Sequence, residues 1–174
     1  MKRCILLVLT LLALTGISYA ANPASMTISC TISGTSLGVT ISSASWTVSA
    51  AVGATVNSTV IKVSNSSGGL TESYKILAST TSNHWTLGNA AGPDKACLQA
   101  VLKTFPSASG TFGSEDSVSF ANQNCSTTLF GDGDTNCGSA VSYASPDRAM
   151  FLKLQTPTSV SNGSETISLT ITAY

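Results

Sequence analysis

The polar loop that reads Gly-Asp-Gly-Asp-Thr-Asn carries the spacing closest to a known chemistry. Its Asp132, Asp134 and Asn136 alternate as the oxygen ligands at positions 1, 3 and 5 of a calcium loop do. The match then ends, because Cys137 stands where that loop has glycine and a tyrosine stands where it has a bidentate glutamate. A polar hairpin turn is the more frequent meaning of this pattern. We therefore keep calcium binding as a hypothesis beside an ordinary turn.

Groups able to act as acid, base or nucleophile are sparse. His84 is the single histidine, and neither a Gly-x-Ser-x-Gly elbow nor a His-Glu-x-x-His motif occurs. His84 is expected to be a capped or exposed loop histidine at the entrance of a strand. Glu115 and Asp116 are adjacent carboxylates, which point to opposite sides of an extended chain and so predict a solvated turn rather than a glycosidase pair. The sequence therefore predicts a protein that is not an enzyme.

The cysteines predict disulfides. Cys4 lies in the apolar N-terminal run, and four others follow it: Cys30, Cys97, Cys125 and Cys137. An even number in an exported chain indicates two disulfides, with three possible pairings. We favour Cys125–Cys137 as a clip across the short Gly- and Asp-rich loop, which leaves Cys30–Cys97 as the second bond. Without a Cys-x-x-Cys pair, metal binding by these four is not expected.

The large aromatic residues have two interpretations. Trp46 and Trp85 could form a sugar-binding face, which would make glycan a partner. Trp46 is in phase with Val48, however, and Trp85 is in phase with Leu87, which favours burial in a core. Both interpretations stay open at this point, and Tyr74 is expected in the core with them.

The N-terminus has the three parts of a secretory signal peptide. Met1–Arg3 is basic, Cys4–Leu14 is apolar, and small residues lead to Ala20. The apolar run is shorter than the roughly 20 residues that a membrane-spanning helix needs, so no transmembrane segment is expected. We predict a signal peptide over residues 1–20, cleavage after Ala20 and export of residues 21–174 as a single domain.

The charge composition narrows the classes of partner that the protein is expected to bind. The chain has 174 residues, with 8 Lys and Arg against 8 Asp and Glu. Loss of Lys2 and Arg3 with the signal peptide leaves 6 basic against 8 acidic residues, a net charge of −2. That balance excludes tracking of a phosphate backbone, so no nucleic-acid partner is expected.

The closing segment, Glu165–Tyr174, has the clearest structural pattern. Apolar side chains alternate with hydroxyl side chains, which is the period of a strand with one buried and one wet face. The apolar set is Ile167, Leu169, Ile171 and Ala173, and the hydroxyl set is Thr166, Ser168, Thr170 and Thr172. An apolar ribbon of this kind needs a second layer to cover it.

The rest of the chain repeats this pattern without a sustained helical period. Cys97–Leu102 is a continuous apolar run that predicts a central strand, Thr55–Val63 predicts one strand, and Val118–Phe120 predicts a short one. Turn residues separate these runs at intervals of about 8 to 15 residues. We predict an all-β fold, a single Ig-like antiparallel β-sandwich of about eight to ten strands.

Two stretches resemble a known group of proteins. The first runs from His84–Gly88 through Gly92–Asp94 to Leu98–Leu102, and the second comprises Met150–Pro157 and Ser164–Ala173. Together they resemble uncharacterised exported bacterial β-sandwich proteins with a tryptophan strand, a Gly-Pro-Asp-like loop and a closing Thr-Ile-x-Leu-Thr-Ile-Thr strand. The resemblance implies a fold and no activity.

The ending is also similar to pilin and spore-coat-U-type subunits, which finish on an alternating strand with an aromatic residue, here Tyr174. Such subunits assemble by adding a strand to a neighbour's sheet. The resemblance therefore implies protein partners or self-association through β-strand contacts.

The predicted function is that of a non-catalytic exported structural or surface-interaction protein, such as a cell-surface, coat or fibre subunit. The alternative is a secreted module that binds glycan or calcium. The predicted location is secreted, periplasmic or at the cell surface.

Overall fold

A computed structural model describes residues 26–35, 38–81, 84–133, 138–161 and 163–174 of the chain. The predicted signal peptide, residues 1–20, lies outside the described residues. The described part is all-β with two packed sheets, which confirms the predicted β-sandwich. Short β-branched and hydroxyl-rich runs between turn residues explain why strands form throughout.

The described residues form eleven strands, one more than the upper end of the predicted range. They are β1 (Met26–Thr35), β2 (Val39–Ile41), β3 (Ser45–Ala50), β4 (Thr55–Asn57), β5 (Ile61–Asn65), β6 (Tyr74–Thr80), β7 (Thr86–Leu87), β8 (Lys95–Thr104), β9 (Gln123–Asn124), β10 (Asp147–Gln155) and β11 (Ser164–Ala173). A 3₁₀ turn at Ser114–Asp116 separates β8 from β9.

The strands divide into two sheets. Sheet 1 has the order β3-β1-β11-β6-β9, and sheet 2 has the order β2-β5-β10-β8-β7. Strand β4 also pairs with β10, antiparallel, beyond the end of the pairing between β5 and β10. The predicted single strand over Thr55–Val63 is therefore wrong. Ser58 breaks it, because its amide and hydroxyl both bond to Leu152 of β10.

Closing strand β11 is central in sheet 1, and it buries one face as its alternation predicts. Ile167, Leu169, Ile171 and Ala173 are buried between the sheets, and the hydroxyl residues between them are half-buried on the outer face. Tyr74 and Trp85 are also buried in this core, which confirms the prediction for both. Trp46 is only half-buried and packs against the core from one side.

The outer face of sheet 2 is covered by a segment that we call the covering segment, residues 105–118. Val101 and Phe151 are buried but lie outside the core between the sheets. A Cβ atom built on Gly110 would lie 3.2 Å from Val101 Cγ1 and 3.3 Å from Phe151 Cδ2, so the backbone packs directly on them. Gln99 Nε2 donates to the carbonyl of Gly113. Sheet 2 is thus covered on both faces.

The predicted strand at Val118–Phe120 is wrong. Ser117 makes only an isolated bridge to Gln99 of β8, and the Phe120 side chain is exposed. The amide of Val118 donates to the carbonyl of Leu98 at 2.8 Å, which fixes the end of the covering segment to β8. The carbonyl of Ser119 accepts a hydrogen bond from the amide of Ala78 in β6 at 3.0 Å, so consecutive residues bond to different sheets and no strand pairing continues along this segment.

Candidate functional site

Strand β1 is the candidate interaction element because of its position within sheet 1. β1 pairs parallel with β11 and antiparallel with β3, so it lies between two strands that do not pair with each other. Cys30, for example, is opposite Ile167 on one side and Trp46 on the other. Met26 and Ile28 are buried in the core. Removing β1 from its position would open a slot one strand wide and expose the core.

Along the described part of the chain, β1 in sheet 1 is followed by β2 at the edge of sheet 2. Gly38, just before β2, has φ of +114°, a conformation that glycine adopts at low cost. Its carbonyl accepts a hydrogen bond from the amide of Ser66 at 2.6 Å. Among the described residues, β1 is thus held in sheet 1 by its pairing with β3 and β11.

The structure does not form the expected Cys30–Cys97 disulfide, since both residues are buried free cysteines. Cys30 belongs to the core between the sheets, whereas Cys97 points to the outer face of sheet 2, 3.7 Å from the Ser117 hydroxyl. Because side chains alternate along β8, Cys97 faces away from the core that contains Cys30, and the two residues lie on opposite sides of sheet 2. Burial raises the pKa of the Cys30 thiol to about 12.

The other predicted disulfide, Cys125–Cys137, involves a residue outside the described part of the chain. Cys125 is buried. A Cβ atom built on Gly138 would lie 2.9 Å from the Cys125 sulfur, so the chain passes Cys125 one residue after Cys137. Successive Cα atoms are about 3.8 Å apart, and disulfides join Cα atoms about 4.4–6.8 Å apart. The bond between Cys125 and Cys137 therefore stays our prediction.

The predicted calcium residues are only partly described. Asp132 Oδ2 accepts a hydrogen bond from the amide of Thr111 at 2.9 Å and lies 3.1 Å from Lys103 Nζ. Burial by itself would raise the pKa of Asp132, but these two donors outweigh it and hold that pKa below its ordinary value. Asp134 and Asn136 lie outside the described residues. Asp132, the one predicted calcium ligand that is described, thus already interacts with Lys103 and with the amide of Thr111.

Asp116 is not the solvated residue that its adjacency to Glu115 suggested. It is buried, and its two carboxylate oxygens accept hydrogen bonds from the amides of Gly113 at 2.7 Å and Phe130 at 2.8 Å. Burial raises the pKa of Asp116, although both backbone bonds act in the opposite direction. Glu115 is exposed. Asp116 therefore links the covering segment to the loop that precedes Gly131.

Glu165 is a structural carboxylate that the sequence reasoning missed. It is buried, and its Oε2 accepts hydrogen bonds from the amides of His84 at 2.9 Å and Trp85 at 3.2 Å. His84 is exposed, as predicted. A signal was present, because Glu165 has the same phase as Ile167 and the other inward residues of β11. An acidic residue at that phase indicates a buried acceptor.

A second missed carboxylate, Glu72, lies at one end of the sandwich. It is 2% exposed, and within the described residues neither of its carboxylate oxygens has a hydrogen-bond partner. The Tyr74 hydroxyl lacks a partner in the same sense. Burial raises the pKa of Glu72, and burial followed by the charge of Glu72 raises the pKa of Tyr74. This end of the core therefore favours the neutral form of both groups.

The two tryptophans do not form a common platform. Trp85 is 2% exposed, so it has almost no surface for a ligand, and Trp46 contributes only a partly exposed ring on sheet 1. Two other aromatic residues, the half-buried Phe112 and the buried Phe151, line a cavity on the outer face of sheet 2. No pattern in the sequence indicates that these two phenylalanines lie close together.

No protein-family model matches this chain, and no curated protein matches it either. Within the described residues, no helix is long and apolar enough to cross a bilayer.

Proposed function

We propose that this chain is a non-catalytic, exported structural or surface-interaction subunit, of the cell-surface, coat or fibre type, that associates by exchanging β1. The supporting observation is the position of β1 between β3 and β11 with one crossover to the opposite sheet. A strand with this connectivity can be supplied by a neighbouring copy without changing any other strand pairing.

The energetics of the slot also support exchange. Full burial of an apolar side chain such as Met26 or Ile28 stabilises the fold by about 1.5–3 kcal/mol, so the position between β3 and β11 strongly favours an occupied state. An exchanged strand makes the same contacts as the chain's own strand. The equilibrium between the closed monomer and linked copies then depends on the protein concentration.

Light scattering on a clamped variant tests this proposal. Ser29 and Thr47 are directly opposite on β1 and β3, where Cα atoms are about 4.5–5.5 Å apart, within the range of a disulfide. We expect Ser29→Cys with Thr47→Cys to keep β1 in its own chain under oxidising conditions. After refolding at high concentration the oxidised variant should be a monomer, and the unsubstituted chain should form oligomers.

The matched control is Ser168→Cys with Ser79→Cys, which clamps β11 to β6 on the same face of the same sheet. Neither strand exchanges in the proposed mechanism, so this variant should form oligomers as the unsubstituted chain does. A monomer at every concentration for the unsubstituted chain, or equal oligomers for both clamped variants, would contradict the proposal.

A further inference from the structure

A half-open cavity of about 240 Å³ lies on the outer face of sheet 2, between the break at residues 58–60 and the covering segment. Phe151 forms its floor and is 5% exposed, and Phe112 lies at its side. Val60 lines it too and is 44% exposed, which is unusual for a valine in this domain. The cavity therefore presents accessible apolar surface on an otherwise hydroxyl-rich protein.

The walls of the cavity are held by hydrogen bonds on one side and by side-chain packing on the other. The amide of Ser58 donates to the carbonyl of Leu152 at 2.8 Å, and the amide of Leu152 donates to Ser58 Oγ at 2.9 Å. On the opposite side Gly110 packs directly on Phe151, and Lys153 Nζ lies 4.9 Å from the centre of the Phe112 ring. The cavity is thus largely formed before any ligand arrives, as small-molecule sites usually are.

The lining combines aromatic rings with uncharged polar groups. Asn57, Thr59 and Ser109 supply an amide and two hydroxyl groups to the lining that includes Phe112 and Phe151. No carboxylate or ammonium group is among the described residues that line it. A charged ligand would find no counter-ion among the lining residues, and a purely apolar ligand would make no use of their polar groups.

We propose that this cavity binds one uncharged sugar ring, such as the terminal pyranose of a glycan. The C–H face of the ring would pack on Phe112 and Val60 above the largely buried Phe151, and its hydroxyl groups would bond to Asn57, Thr59 and Ser109. The volume supports a single ring, because sites for drug-sized molecules have about 300–1,000 Å³. The cavity lies on sheet 2 and the exchangeable strand on sheet 1, so this proposal is independent of strand exchange.

Amide-resolved NMR titration of the full mature chain, produced in a bacterial host, tests the site. The probes are methyl glycosides of glucose, galactose, mannose and N-acetylglucosamine, with indole as an aromatic and apolar comparison. We expect at least one glycoside to bind with a Kd of about 1 mM or tighter. The shifts should centre on Ser58, Gly110 and Phe151 and be absent from β11.

Two rim variants sharpen this result. Asn57→Ala and Thr59→Val change exposed side chains, and each should weaken glycoside binding by about tenfold or more through loss of a hydrogen bond. Thr170→Ala on sheet 1 is the control and should leave binding unchanged. No shifts with any glycoside, tighter binding of indole than of every glycoside, or unchanged binding in both rim variants would overturn the proposal.

Discussion

The two outer faces of the sandwich have the same strand geometry and opposite environments. On sheet 1, outward positions such as Ser29, Thr47 and Thr170 carry small hydroxyl side chains that are half-buried or exposed. On sheet 2, outward positions such as Val101 and Phe151 are buried under the covering segment. The side-chain period is two on both faces, and among the described residues only the second face has a layer above it.

This difference shows what a continuous apolar strand means in a sandwich whose strands pair mostly antiparallel. β8 is buried from Ala96 to Leu102 on both faces, although alternation would expose every second residue. The loop above it supplies the cover that helices give in parallel sheets. Sheet 1 keeps the alternation that the closing strand shows, because nothing among the described residues covers its outer face.

The largest expected effect comes from emptying the covered face. Phe151→Ala should destabilise the domain by about 3–5 kcal/mol, because a buried ring is lost and a cavity remains. Thr170→Ala, at a matched outward position on sheet 1, should change stability by less than about 0.5 kcal/mol. Urea unfolding monitored by tryptophan fluorescence measures both. Similar losses for the two variants would remove the distinction between the faces.

Releasing the covering segment should have a smaller effect. Asp116→Ala leaves the buried amides of Gly113 and Phe130 without their acceptor, which costs about 1–3 kcal/mol. Glu115→Ala is the control, because that side chain is exposed and should have little effect. Thermal unfolding of both variants decides the point. A loss no greater than that of Glu115→Ala would show that Asp116 does not hold the segment.

A pH-dependent contribution from the same segment should be smaller still. The pKa of Asp132 is lowered, so its bonds to Thr111 and Lys103 stabilise the fold above the ordinary value of 3.8 and are lost as the pH falls through the lowered value. Asp132→Asn should cost about 1 kcal/mol or less at neutral pH. It should also flatten the acid side of the stability curve. An unchanged acid limb would contradict this account of the pair.

The smallest expected effect is a change in the rate at which buried cysteines are alkylated. Cys97 lies under the covering segment, whereas Cys30 lies between the sheets. Asp116→Ala should therefore speed alkylation of Cys97 in the folded protein and leave Cys30 protected. Mass spectrometry of timed digests gives the two rates separately. Equal acceleration at both cysteines would indicate global opening rather than release of the segment.

The sequence predicted the parts of the fold that depend on local alternation. The apolar phase of β11 and the burial of Tyr74 and Trp85 follow from period two, and the structure confirms them. The pairing of Cys30 with Cys97 was wrong because nothing local shows which face of sheet 2 is covered. The burial of Asp116 was missed for the same reason, because its hydrogen-bond partners are 3 and 14 residues away in the sequence.

The candidate site was harder to predict than the fold. The alternation of β1 identifies a strand but does not indicate its place between β3 and β11, which depends on long-range pairing. The cavity depends on residues more than 90 positions apart, since Asn57 meets Phe151 only through the pairing of β4 with β10. The burial of Glu165 was missed too, although its phase in the closing strand indicates a buried residue.

A cross-link between two singly substituted chains tests strand exchange most directly. One copy carries Ser29→Cys and the other carries Thr47→Cys, and the two are refolded together and then oxidised. If β1 of one copy pairs with β3 of the other, peptide mass spectrometry will find a disulfide between positions 29 and 47 of different chains. If that disulfide forms in the doubly substituted chain and never between the singly substituted copies, β1 stays in its own domain and the proposed assembly is wrong.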